Sequence, residues 1–342
     1  MGRMILMLLV ICVMLGACSP AVPPKPSDAP ALAGMHTLIH NDDEGLALLP
    51  TIPKLSERGI NALVVEVNYN FDWKSHPELA ADDGLTLQTA RAVAKACRDN
   101  GIRIIPAFNC LGHQSWGERT MALLKVYPQL DETPGQYPKN KGIYCRSWCP
   151  LNPEVNPIIF DLMDELIDAF QADAFHVGMD EVMIIASDFC PRCKGKDPAE
   201  LFAKAVNDYR AHLVVVNEVE MFMWGDRLIN GADPATSYSK WEASFNGTYP
   251  AVDLIAKDII ICDWHYKEQE SYGSIPYFLS KGFCVWPASC SEPTAASALI
   301  DYSQSYWSDP KMLGHLFTHW GLTDNQSLAE WPPLVKNFRK LR

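Results

Sequence analysis

The chain has 342 residues, 48% of them hydrophobic and 20% charged, enough for one large core or two small ones. Its formal net charge is -12 and its isoelectric point about 5.2, with no basic cluster. That balance argues against a nucleic-acid partner.

In chain order, the first segment reads as an address. Arg3 gives a short positive start, and Met4 to Leu15 is apolar but too short to span a bilayer comfortably. Leu15-Gly16-Ala17-Cys18 then resembles a bacterial lipobox. It predicts a signal peptide over 1–17, lipidation of Cys18 and anchoring in the cell envelope. Ser19 after the cysteine points to the outer membrane. Ser19 to Pro30 is rich in proline and alanine, so 18–33 reads as an extended tether.

From 34 to 342 short apolar runs alternate with amphipathic stretches. The runs predict strands at Met35 to Ile39, Ala62 to Val67, Ile102 to Phe108, Ala174 to Val177, Val219 to Trp224, Ile259 to Cys262, Phe283 to Trp286 and Leu313 to Thr318. Between them the spacing predicts helices over Leu48 to Arg58, Thr86 to Asn100, Trp116 to Val126, Asn156 to Phe170, Pro198 to Val214, Tyr249 to Ala256, Tyr272 to Ser280 and Thr294 to Tyr306. A last helix runs from Ser327 to Leu341. Leu87, Ala90, Val93, Ala94 and Cys97 share one helical face, and Asn100-Gly101 stops that helix. Eight strand–helix units imply parallel strands closing into a (β/α)8 TIM barrel, a single α/β domain. No Gly-x-Gly-x-x-Gly follows the first strand, which disfavours a dinucleotide fold. Tyr127 to Pro157 is long for a loop, so part of it is expected over the barrel mouth.

Eleven cysteines include Cys12 in the leader and Cys18, which leaves nine. The pairs Cys145/Cys149 and Cys190/Cys193 fit two halves of a zinc site, disulfides, or plain loop thiols, and the spacing does not choose among them.

Chemistry in such a barrel collects where the strands end. Glu66 and Asn68 end the second, and Asn109 ends the third, followed by His113. His176, Asp180 and Glu181 end the fourth. Trp224 and Asp226 end the fifth, and Asp263, Trp264, His265 and Tyr266 the sixth. Trp286 ends the seventh, and His319 and Trp320 the eighth. Acids, imidazoles and aromatic plates on one rim suggest a carbohydrate pocket.

Here a family resemblance appears. His176-Val177-Gly178-Met179-Asp180-Glu181 resembles the His-x-Gly-x-Asp-Glu signature of glycoside hydrolase family 20, the β-N-acetylhexosaminidases. Ile104 to His113, Cys149 to Val155, Met223 to Asp226 and Trp320 resemble further motifs in that family's order. The resemblance implies a substrate-assisted retaining exo-glycosidase acting on a glycan or glycoconjugate, with no metal and no cofactor. It implies that Asp180 orients the 2-acetamido group and Glu181 is the general acid and base. His113, His176, Trp224, Asp226, Trp264, Tyr266, Trp286 and Trp320 would bind the sugar. The chain departs from the pattern at three points: the first strand carries no arginine, Asn109 stands in place of an acid, and Leu322 stands in place of another. Those departures mark a divergent member and leave two other readings open. One is a glycosidase of different sugar specificity using two carboxylates; the other is a non-catalytic sugar-binding lipoprotein.

Overall fold

The computed structural model describes residues 32–233, 238–321 and 327–341. The leader, Cys18, most of the tether and Leu322 lie outside the described residues. Among the described residues no helix is long and apolar enough to cross a membrane.

Among the described residues ten strands and nine α-helices follow one another. The strands are β1 (Leu32–Leu38), β2 (Ala62–Glu66), β3 (Arg103–Cys110), β4 (Ser115–Trp116), β5 (Arg119–Thr120), β6 (Ala174–Gly178), β7 (Glu220–Trp224), β8 (Ile260–Trp264), β9 (Cys284–Ser289) and β10 (Gly314–Thr318). The helices are α1 (Asp42–Leu48), α2 (Ile52–Glu57), α3 (Leu87–Asp99), α4 (Ala122–Val126), α5 (Val155–Phe170), α6 (Pro198–Arg210), α7 (Ser274–Ser280), α8 (Pro293–Gln304) and α9 (Pro332–Asn337). Eight parallel strands close into a barrel in the order β1-β10-β9-β8-β7-β6-β3-β2, which is the (β/α)8 fold that the alternation implies. The small β4–β5 hairpin stands apart.

Strand periodicity sorts the core into two shells, because successive side chains point to opposite faces. Residues such as Ala62, Val64, Ile105, Phe222, Cys262, Trp286 and Leu316 point inward and fill the barrel. Their neighbours Leu63, Val65, Ile104, Phe175, Met221, Ile261 and Phe317 point outward and pack beneath the helices. Burying one such large apolar side chain contributes about 1.5–3 kcal/mol.

All eight predicted barrel strands form, with small shifts at their ends. β1 starts at Leu32, two residues inside the expected tether. Thr86 caps α3 by accepting from the Thr89 N–H, and Ala90, Val93, Ala94 and Cys97 are buried. Leu87 is instead 45% exposed, because it sits in the first turn beyond the packed face. The expected helix over Leu48 to Arg58 forms only beyond Pro50, as α2, and α1 precedes it as a separate helix where none is expected before Leu48. The expected helix from Trp116 is a correction: β4 and β5 occupy its first half, and only Ala122–Val126 is helical. Gly117 turns at a φ of 54° there, which no helix admits. Between β7 and β8 the described residues form two 3-10 helices, Asp226–Leu228 and Tyr249–Asp253, the second standing where an α-helix over Tyr249 to Ala256 is expected.

The long segment before α5 is folded, not slack. Arg146 is buried at its centre, donating to Asn140 Oδ1 (2.6 Å), to the carbonyls of Gln136 and Tyr137 (2.7 Å each), and to Asp131. The Trp148 N–H donates to the Leu111 carbonyl (3.1 Å), which fastens the segment to the end of β3.

Candidate active site

The C-terminal mouth of the barrel carries a continuous polar line across six strand ends. His36 Nε2 on β1 lies 3.2 Å from Glu66 Oε2, and Asn68 donates to Glu66 Oε1 (2.7 Å). The Asn109 N–H donates to Asn68 Oδ1 (2.7 Å), and its side chain donates to Asp180 Oδ1 (2.9 Å). His113 Nε2 stands 3.2 Å from Asp180 Oδ2 and 3.3 Å from Glu181 Oε2. The Glu181 N–H donates to Asp226 Oδ2 (2.9 Å), and Trp264 Nε1 donates to Asp226 Oδ1 (3.2 Å).

Backbone geometry explains how two adjacent acids serve one centre. Leaving β6, Gly178, Met179 and Glu181 all have positive φ (67°, 73° and 49°). This coil turns both carboxyl groups back over the mouth instead of to opposite sides. Left-handed backbone at non-glycine residues costs about 1–3 kcal/mol each, so strain is concentrated where the acids are aimed. Gly178 is required here: a Cβ would meet Asn109 Oδ1 at 2.4 Å. His113 shares the strain, with a φ of 55°.

The electrostatics follow from burial against charge. The Asp180 and Glu181 side chains are only 13% and 14% exposed. Burial pushes the Asp180 carboxyl up, but His113 and Asn109 outweigh it and hold the group below the usual carboxylate range. Burial likewise opposes charge on His113, yet Asp180 and then Glu181 raise it well above an ordinary imidazole. The Nε2–H is not aligned on either oxygen for a directed hydrogen bond, so charge holds the three groups together. Burial, reinforced by Asp180, lifts the Asp226 carboxyl to about 6 against the pull of Arg227. Arg227 is buried, donates to Asp226 Oδ2 (2.6 Å), and also donates to the carbonyls of Lys240, Trp241 and Ala243. It therefore joins the floor of the site to the loop that carries Trp241.

The aromatic residues are less uniform than the strand ends imply. His36, His176, Trp224 and Trp320 pack as one cluster of tilted rings: Trp320 is 4.3 Å from His36 and Trp224 is 4.5 Å from His176, centroid to centroid. The Trp320 indole N–H donates to Tyr266 Oη (2.8 Å), and Tyr266 packs on Trp264 (4.9 Å). His176 accepts from the Gly178 N–H at Nδ1 (3.0 Å), and burial lowers its pKa to about 3, so it is neutral. These residues therefore meet at the mouth. Trp286 does not join them: its ring fills the barrel interior, its N–H donates to the Leu32 carbonyl at the start of β1 (3.2 Å), and Gly34 leaves the space for it. It belongs to the core, and its expected place in the pocket wall is corrected.

Three aromatic residues that the barrel strand ends could not reveal come from loops and from the β4–β5 hairpin. Tyr144 lies 5.8 Å from the His113 ring, and burial followed by Glu181 raises its hydroxyl above the ordinary phenol value. Trp241 packs edge-on to Tyr144 at 4.7 Å, and Trp116, 61% exposed, lies 5.8 Å from Tyr144. Gly142, Tyr144, Met183, Ile184, Lys240 and Trp241 line a cleft of about 280 Å³ on this side of the pair.

An acid pair under an aromatic rim at the C-terminal mouth of a closed (β/α)8 barrel is the arrangement of a barrel glycoside hydrolase. The comparisons with known proteins narrow that class. The catalytic-domain profile of glycosyl hydrolase family 20 matches residues 36–273, and the chain belongs to that family. No curated protein sequence matches the chain. Among solved structures, the Flavobacterium johnsoniae chitobiase aligns with a TM-score of 0.64 at 18% identity, over 91% of this chain and 48% of that one. A β-N-acetylhexosaminidase aligns with a TM-score of 0.66 at 16% identity, over 91% and 71%. The exo-β-N-acetylglucosaminidase of Vibrio harveyi, solved with N-acetylglucosamine, aligns with a TM-score of 0.59 at 15% identity, over 91% and 57%. The chain thus spans about half the length of the Flavobacterium protein, and at these identities the likeness is one of fold.

Proposed function

We propose that the chain is a retaining exo-glycosidase that removes terminal β-linked N-acetylhexosamine from a glycan by substrate-assisted catalysis. The observation that carries the reading is the convergence of Asp180 and Glu181 on His113 Nε2, at 3.2 and 3.3 Å, inside a mouth walled by aromatic rings. In the first step the acetamido carbonyl oxygen of the sugar attacks the anomeric carbon. Glu181 gives its proton to the glycosidic oxygen, and the alcohol leaves. Asp180, kept anionic by His113 and Asn109, accepts the acetamido N–H and balances the positive charge that forms on the cyclised ring. In the second step Glu181 takes a proton from water, which opens the oxazolinium on the same face. The family membership and the neighbours named as hexosaminidases support this choice of sugar.

A two-carboxylate scheme would need a second free acid near Glu181. Of the two candidates, Asp226 has both oxygens occupied, by the Glu181 N–H, Arg227 and Trp264, and Asp180 is engaged by His113 and Asn109. That favours the substrate's own amide as nucleophile. A cell-envelope location through lipidated Cys18 belongs to the same proposal and rests on the lipobox; incorporation of a fatty-acid analogue that disappears in Cys18→Ala tests it.

The reaction is tested with matched aryl β-N-acetylglucosaminide and aryl β-glucoside. Turnover confined to the acetamido substrate, inhibition by a thiazoline, and a fall of about 10²–10⁴ in kcat for Glu181→Gln are expected. Equal rates on the two substrates would exclude the acetamido mechanism, and ligand binding with no turnover in the wild type would make the protein a binder.

A further inference from the structure

Beside the site, but sharing none of its groups, four buried ligand-type side chains converge: Glu132, Cys149, Cys190 and Cys193. The sequence spacing pairs Cys190 and Cys193 with Cys145 and Cys149. The fold alters that set. Cys145 turns its Sγ to the Glu181 carbonyl (3.6 Å), and Glu132 takes the fourth place.

The distances distinguish among the fates open to these thiols. The Sγ of Cys149 lies 3.4 Å from that of Cys193 and 3.3 Å from that of Cys190, whereas a disulfide needs about 2.05 Å. All nine cysteines of the described residues are free. Two thiols at near-equal range from a third suit a shared centre better than a bonded pair. Around a tetrahedral zinc with bonds of about 2.3 Å, sulfurs sit about 3.8 Å apart, within a few tenths of an ångström of what is seen. A carboxylate oxygen of Glu132 completes the set, and all four ligand atoms lie within 4.8 Å of one another.

A second observation points to a cation. Glu132 is fully buried; its Oε1 accepts from the Ser187 N–H (2.9 Å), and its Oε2 has no hydrogen-bond partner. A carboxylate taken out of water beside three sulfurs is costly unless a positive charge faces it. Leu151, Ile185, Ala186 and Leu201 pack around the cluster and limit access of water. Three thiolates and a carboxylate around a divalent ion carry a net charge of about −2. Arg192, between Cys190 and Cys193, and Lys194 and Lys196, just after them, are exposed and close in sequence to that charge in a chain of net charge -12.

We propose that Glu132, Cys149, Cys190 and Cys193 form a closed structural zinc site that clamps two loops of the barrel mouth. Three soft thiolates select zinc over magnesium or calcium, and four protein ligands leave no open position for catalysis. Glu132 and Cys149 belong to the long segment that carries Tyr144, and Cys190 and Cys193 to the loop that leaves Glu181. None of the four lies on a helix or barrel strand, so the metal supplies rigidity that regular hydrogen bonding does not.

Metal content of the full chain, purified without chelator and again after reduction and incubation with zinc, tests this. One zinc per chain is expected, and cobalt exchanged into the site should give thiolate-to-metal absorption. Cys149→Ser and Cys193→Ser should each lower zinc content more than tenfold, Glu132→Gln should release it at least tenfold faster to a chelating dye, and Cys284→Ser should leave it unchanged. If the cysteine variants do not fold, the wild-type stoichiometry decides the matter alone. A reduced wild-type protein that takes up no zinc, or a disulfide among these cysteines in peptide mass spectra, overturns the proposal.

Discussion

The side-chain amide of Asn109 donates to Oδ1 of Asp180 across 2.9 Å, where the wider family resemblance leads one to expect an acid. The amide can only help an anion at Asp180. Asn109→Asp would put two carboxyl groups at hydrogen-bond distance, where they must share a proton. The acid limb of the kcat/KM profile should then move up by about 1–2 pH units. An unmoved profile would mean that Asp180 need not be ionised for turnover.

Trp320 follows β10 and Trp286 lies within the neighbouring strand β9, and they predict opposite phenotypes. Trp286→Ala should cost about 3–5 kcal/mol in denaturant unfolding, because it empties the barrel interior, and should leave KM of the folded fraction unchanged. Trp320→Phe should leave stability within about 1 kcal/mol, since ring volume is largely kept, and raise KM several-fold. Interchanged results would move the pocket to the other end of the barrel.

Gly178→Ala combines a φ of 67° with a contact of 2.4 Å to Asn109 Oδ1. We expect a loss of roughly 2–4 kcal/mol in stability, with activity falling further as Asp180 and Asn109 are displaced. Calorimetry alongside single-turnover rates separates the two; a variant as stable as the wild type would show that the turn relaxes freely.

His265 gives a pH dependence away from the reaction. It is fully buried, with Nε2 3.2 Å from Asp263 and Nδ1 3.3 Å from Glu242. Burial opposes its charge, but Asp263 and Glu242 prevail and raise its pKa to about 9. The folded protein therefore binds more protons than the unfolded chain between about 6.5 and 9. Stability from this group is complete below about pH 6.5 and declines as pH rises through 9, by up to about 3 kcal/mol. His265→Gln should flatten that decline in urea titrations at pH 6, 7.5 and 9.

Eight apolar runs of strand length, each closed by polar residues, made the barrel legible, because inward and outward packing constrain every strand residue. The Asp180–Glu181 pair was legible for a related reason: two acids after an apolar run and a glycine have no packing role. Depth along the barrel axis was not. Trp286 and Trp224 both alternate inward, and only the stagger of the strands puts one beneath the floor and the other in it. The hairpin at Trp116 was hidden because Gly117 interrupts an otherwise helical spacing.

The sequence by itself determined the alternation, the closed barrel and the acids that crown it, since those depend on local periodicity and on residues adjacent in the chain. Tertiary structure alone decided which loop groups face them. Tyr144, Trp241, Arg227 and Glu132 reach their partners across gaps that no period spans, and only closure of the strands sets those distances. Side chains far apart in sequence meet through the geometry of the whole barrel, whereas a strand or helix is specified by its own few residues.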